Sequence, residues 1–196
     1  YKIDALNTFS ELMKPLRMIG NLFNFYAKHK GLMTYPASDI GVFFKTNNEA
    51  KTPNAQIHFT PVAVKYNKNG SMKPSSGITA SVCNLRPKSR GHIELVSSNP
   101  NDAPKIHANY LSTDNDLQAM IEGVQKTREI FRTPAMQELD AKELQPGYII
   151  NTEADIKEFI KNESLSVYHP TGTCKMGIGS ESVSYTHLTL PTTPYV

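Results

Sequence analysis

The residues able to do chemistry are few and scattered. The chain carries six histidines, His29, His58, His92, His107, His169 and His187, and two cysteines, Cys83 and Cys174. A lone histidine is usually a structural or surface residue. No two of these have helical metal-ligand spacing, and no carboxylate-rich cluster accompanies them, so no metal ligand is expected. Cys174 lies downstream of His169, but the pair is too weak a signal for a Cys/His dyad, and a small buried residue is the expected role of Cys174. There is no Gly-x-Ser-x-Gly elbow for a serine hydrolase and no Gly-rich phosphate cradle. His169 stands apart because of its neighbours, Tyr168, Pro170 and Gly172. Proline fixes the next backbone angle, and glycine permits close approach to another surface. Such a loop can hold an imidazole with little freedom, and an imidazole can accept a proton at neutral pH.

The elements that must position these side chains can be read from periodicity and punctuation. Thr8 and Glu11 have capping-box spacing, and Leu12, Leu16, Ile19, Phe23 and Tyr26 recur at helical intervals. Pro15 moves the expected helix start toward Lys14, and Gly31 is placed to stop it. This face is expected to pack on a core, with a membrane-surface role beside Lys14, Arg17, Lys28 and Lys30 as the alternative. Strands are expected at 39–44, 56–64, 77–85 and 91–96. Pro61 marks an edge, bulge or break, and 67–70 (Asn-Lys-Asn-Gly) marks a turn. The basic connection 86–90 (Arg-Pro-Lys-Ser-Arg) reads as a solvated turn, with an anion site as the alternative. Residues 97–104 read as loop. A second helix is expected from Thr113 or Asp114, with Leu117, Ile121, Val124 and Phe131 as its apolar stripe and Pro134 as its end. A third starts at Thr152, with Asp155 three residues on, and buries Ile156, Phe159 and Ile160. Strands linked by turns, followed by a block of helices, predict an α+β fold: a mostly antiparallel sheet with helices packed on one face.

Composition sets the outer bounds. The chain has 196 residues, 39% hydrophobic and 20% charged, with a net charge of +3. These values exclude wholesale disorder and argue against nucleic acid as a partner. No apolar run is long enough to span a membrane. Residues 183–196 contain no Lys, Arg, Asp or Glu. Their Ser-Tyr-Thr-His-Leu-Thr-Leu-Pro-Thr-Thr run reads as a non-native, adapter-derived tail, which sets His187 aside.

Residues 168–177, Tyr-His-Pro-Thr-Gly-Thr-Cys-Lys-Met-Gly, closely resemble the C-terminal signature of the glucose–methanol–choline oxidoreductases, a flavoenzyme family. Residues 85–91 (Leu-Arg-Pro-Lys-Ser-Arg-Gly) resemble the family's Pro-x-Ser-Arg-Gly segment. Pro104-Lys105-Ile106 with Asn109-Tyr110-Leu111-Ser112 resembles the segment that follows it. The helix containing Glu122-Gly123, and the segments 31–33 and 56–59, also have counterparts. The resemblance covers most of residues 10 to 178 and is strongest to choline dehydrogenases and bacterial-type alcohol dehydrogenases.

That resemblance implies oxidation of an alcohol with FAD as cofactor. His169 is then the active-site base, and Tyr168 and Val167 lie against the flavin. His58 is then a substrate-binding histidine, with a solvent-facing strand residue as the alternative. The implied partners are a small alcohol, choline among the candidates, and an electron acceptor, quinone or oxygen, that the sequence leaves open. The expected location is cytoplasmic or peripheral on the inner membrane. The implied organisation is a partial substrate-binding domain over 1–165, a catalytic-histidine loop over 166–182 returning to an FAD domain, and the tail over 183–196. The Gly-rich dinucleotide fingerprint and a second catalytic Asn or His have no counterpart here, so the chain is expected to be an internal piece of a longer enzyme, poorly soluble and inactive alone. A non-catalytic binding module and a flavin-containing lyase of the same fold are the rival readings.

Overall fold

The structure, a computed structural model, describes residues 1–3, 8–12, 14–36, 38–66, 72–179 and 182. The turn expected at 67–70 and the tail at 183–196 lie outside them. Two compact units form: Tyr1–Ser89 with Leu111–Ser164, and Arg90–Tyr110 with Leu165–Val196.

The first unit opens with α1 (Phe9–Leu12) and α2 (Pro15–Lys28). Pro15 occupies the first position of α2, where its missing N–H costs nothing. The helix stops at His29, which turns left-handed (φ 51°) ahead of Gly31. Its apolar stripe does not pack on a core as expected. No residue of α2 is buried, and Leu16 and Tyr26 are 88% and 75% exposed. Periodicity marks an apolar face but does not say what covers it.

The strands are β1 (Ile40–Phe44), β2 (Ala55–Thr60), β3 (Ala63–Tyr66), β4 (Met72–Ser75) and β5 (Thr79–Asn84). The segment expected at 56–64 divides at Pro61, which cannot donate to a ladder. The single expected sheet is divided too. β1, β2 and β5 form an antiparallel sheet with β2 in the centre, and β3 pairs with β4. In register, Val42, Ile57 and Val82 share one face, and Gly41, His58 and Ser81 share the other.

Three helices follow: α3 (Asp114–Phe131), α4 (Pro134–Gln137) and α5 (Glu153–Glu163). Thr113 caps α3 by accepting from the Asp116 amide at 3.3 Å. Thr152 and Asp155 form the expected capping box on α5. α3 ends ahead of Pro134, as expected. The helix closes at Phe131, and Pro134 begins α4. α3 packs on β2 and β5. Gly123 makes this approach possible, since a Cβ there would stand 2.3 Å from Val82 Cγ1. Ile121, Ile156 and Ile160 form the core between α3 and α5, with Val124 and Phe159 against it. No helix among the described residues is long and apolar enough to cross a membrane.

The second unit contains a two-stranded antiparallel hairpin, β6 (His92–Glu94) and β7 (Lys105–His107), and the segment that carries His169. The connection between the strands is tied by Asp102, which accepts from Ser97 Oγ at 2.6 Å and Asn99 Nδ2 at 3.1 Å.

Candidate active site

The His169 segment has no regular secondary structure, so turn chemistry shapes it. Ser166 Oγ accepts from the Tyr168 amide at 3.0 Å, closing a short side-chain turn. Tyr168 has φ +59°, a region that a bulky residue adopts only under constraint. Gly172 follows at φ +103°. His169 is exposed, and Val167 and Tyr168 beside it are 54% and 85% exposed. The segment therefore presents an apolar residue, an aromatic ring and an imidazole in succession. Backbone strain of this kind concentrates where a side chain must be aimed.

The same unit holds the hairpin, and its motif residues have specific structural tasks. Gly91 lies so close to the other strand that a Cβ would fall 2.0 Å from the His107 carbonyl oxygen. Asn109 takes a left-handed conformation (φ 51°), and its side-chain amide donates to the Arg90 carbonyl at 2.8 Å. The Tyr110 and Ser166 hydroxyls stand 3.4 Å apart, linking the hairpin's exit to the start of the His169 segment.

His58 belongs to the first unit. It is half-buried on central strand β2, opposite Gly41 and Ser81 and on the sheet face away from α3. Neighbouring Ile57 points the other way and is fully buried. The space a side chain at Gly41 would take is filled by Gln56 and Phe43, and Phe43, on the same face as His58, is 59% exposed. This face of the sheet is thus open and mixed in polarity. Two depressions in the first unit, one lined by Lys2, Glu138 and Lys142 and the other by Met18, Met33 and Tyr35, do not include His58.

Several organising residues were invisible to sequence reasoning. The 86–90 connection is not simply a solvated turn, because buried Asp116 holds it. The Asp116 carboxylate accepts from the amides of Lys88 and Ser89, both at 2.7 Å, from Ser89 Oγ, and from Asn84 Nδ2 at 3.1 Å. Burial pushes this carboxyl up, but the hydrogen bonds from Ser89 and from the two amides outweigh it and hold its pKa below the ordinary value. The available signal was an acid in the first turn of a capped helix. Its partners lie as far as 32 residues away. Likewise Arg128 and Glu143 form a buried ion pair at 2.7 Å, and Arg128 also donates to the Ile150 carbonyl at 2.9 Å. The Tyr1 hydroxyl donates to Glu143 at 3.3 Å, and its ring stacks on Phe131. Cys174 is exposed, contrary to its expected burial, because its glycine-flanked segment has no core to enter. Cys83 is half-buried, and burial pushes its thiol pKa up. The hairpin also gathers His92, Glu94 and His107, a set of metal-ligating type where spacing had predicted none.

Comparison with known proteins gives these residues a context. The family model described as GMC oxidoreductase matches residues 87–188, which include the 86–90 connection in large part, the hairpin, α3, α5 and the His169 segment. The chain is 38% identical over 169 residues to an alcohol dehydrogenase [acceptor] of Pseudomonas putida, covering 86% of this chain and 30% of that protein. It is 36% identical over 155 residues to an oxygen-dependent choline dehydrogenase of Chromohalobacter salexigens, covering 79% and 28%. The fold matches a formate oxidase of Aspergillus oryzae, solved as a variant that affects FAD modification, with TM-score 0.72 and 16% identity over 89% of this chain and 35% of that one. The chain thus spans under a third of the length of the two enzymes it resembles in sequence. With the family model covering more than half of its residues, the chain belongs to the GMC oxidoreductase family.

Proposed function

We propose that this chain is the substrate-side portion of an FAD-dependent enzyme that oxidises a primary alcohol, choline among the candidates, to an aldehyde. The observation that carries this reading is the exposed imidazole of His169 on a segment aimed by left-handed Tyr168. Val167 and Tyr168 offer exposed apolar and aromatic surface beside it, which suits a flat ring system, and these two residues would face the flavin. FAD, when bound, supplies the acceptor for the hydride.

His169 takes the hydroxyl proton of the alcohol. As the O–H bond gives up its proton to the imidazole, electron density on oxygen becomes available to form the carbonyl, and the C–H bond breaks with its electron pair leaving as hydride. A positioned base therefore stabilises the transition state rather than the bound alcohol. His58 donates or accepts a hydrogen bond at the alcohol oxygen and so contributes to binding. This reading applies equally to a quinone- or an oxygen-linked enzyme.

The test uses the complete protein that contains this chain, assayed with choline and with simple primary alcohols and an artificial electron acceptor. Replacing His169 with Ala lowers kcat by roughly 10²- to 10⁴-fold, with the flavin absorbance retained. Near-wild-type turnover by His169→Ala would remove His169 from the mechanism. His58→Ala raises KM more than it lowers kcat, and an unchanged KM returns His58 to the role of an ordinary strand residue.

A further inference from the structure

We propose that His92, Glu94 and His107 form a three-ligand site for a zinc-class divalent cation on the hairpin of the second unit. His92 and His107 face each other in register across β6 and β7, and Glu94, two residues along from His92, falls on the same face. Glu94 Oε2 stands 3.3 Å from His107 Nε2. The two imidazoles stack at 4.4 Å, and one donor atom from each of the three side chains lies within 4.8 Å of the others.

These distances suit a metal. Tetrahedral zinc binds nitrogen and oxygen at about 2.0–2.1 Å, which places its ligand atoms about 3.4 Å apart. The Glu94–His107 separation already matches. The stacked imidazoles bring their lone pairs to a common point by turning about χ2, a soft torsion open to exposed rings. Two imidazoles and one carboxylate select zinc, cobalt or nickel over magnesium or calcium, which prefer all-oxygen shells. The fourth position is left to water.

Packing does not account for the cluster, because all three side chains are exposed. The backbone beneath them is well defined: Gly91 permits the close approach of the strands, and Asn109 ties β7 back to Arg90. Each strand has only three residues, and a two-stranded hairpin is marginal alone. A metal bridging both strands clips it shut. Lys105, in register with Glu94, is the local competitor for the carboxylate.

The test is calorimetric titration of the 196-residue chain with zinc chloride, followed by cobalt chloride as a spectroscopic probe. One equivalent binds, with cobalt giving the intense visible bands of a tetrahedral site. Loss of an outer-sphere partner typically weakens a metal site by about 10- to 100-fold, so removal of a direct ligand, in His92→Ala or His107→Ala, weakens it by at least about tenfold. His29→Ala leaves the titration unchanged. Absence of saturable binding overturns the proposal, as does undiminished affinity in the His92→Ala/His107→Ala double variant, which would place the ion elsewhere. Should the alanine variants lose the native circular dichroism, Glu94→Gln decides: weakening of about tenfold or more supports the site, and unchanged affinity overturns it. The readout is binding rather than turnover, so its failure leaves the flavoenzyme reading intact.

Discussion

Replacing Asp116 with alanine tests whether one buried carboxylate organises the 86–90 connection. Asp116 is 1% exposed and accepts from four donors: Asn84 Nδ2, the amides of Lys88 and Ser89, and Ser89 Oγ. A hydrogen bond to a charged group contributes about 1.5–3 kcal/mol. The simple sum overstates the loss, because Lys88 is exposed and Ser89 half-buried, so water can reach part of the set. Counting the two short backbone bonds alone, at the low end of that range because water reaches them, gives about 3 kcal/mol. In a chain of this size, with about 2–4 °C per kcal/mol, that is a drop in Tm of about 10 °C. Amide exchange at Lys88 and Ser89 rises by at least about 100-fold if those bonds set the local opening free energy.

The pH dependence provides a second arm. The folded-state pKa of Asp116 lies below its unfolded value, so its stabilisation is complete above the unfolded pKa and is lost as pH falls through the folded one. Wild type therefore loses stability on acidification below about pH 4, and Asp116→Asn flattens that loss. Urea unfolding followed by circular dichroism at pH 7 and pH 3, with hydrogen exchange, measures both effects. A change in unfolding free energy below about 1 kcal/mol for Asp116→Ala, with unaltered exchange at Lys88 and Ser89, would show that the connection is held by something else.

Other outcomes follow from the same geometry. Gly123→Ala forces a methyl onto Val82 and costs about 1–3 kcal/mol, whereas Gly123→Ala combined with Val82→Ala recovers most of it; an absence of recovery in urea midpoints refutes the close approach of α3 to β5. Arg128→Met leaves Glu143 buried without its partner and destabilises by about 3–5 kcal/mol, measured by thermal unfolding. Exposed Cys174 reacts with a disulfide reagent well before half-buried Cys83, whose raised pKa reduces its thiolate fraction; mass mapping of the first-modified peptide checks the order.

Local rules made much of this protein legible. The caps at Thr113 and Thr152 were readable because capping is decided within four residues. The division of a strand at Pro61 followed from its missing donor, and the resemblance of residues 168–177 to a flavoenzyme signature singled out His169 before any coordinates. What the sequence left open depended on partners distant along the chain. Whether the stripe of α2 is covered, whether Cys174 is buried and how the strands divide among sheets are all settled by packing, which periodicity cannot see. The hub at Asp116 depends on a helix start meeting a loop that precedes it by up to 32 residues. The His92–Glu94–His107 cluster exists only because the register of β6 and β7 sets the two histidines opposite each other. A slip of one residue would send each side chain of a strand to the other face and disperse it.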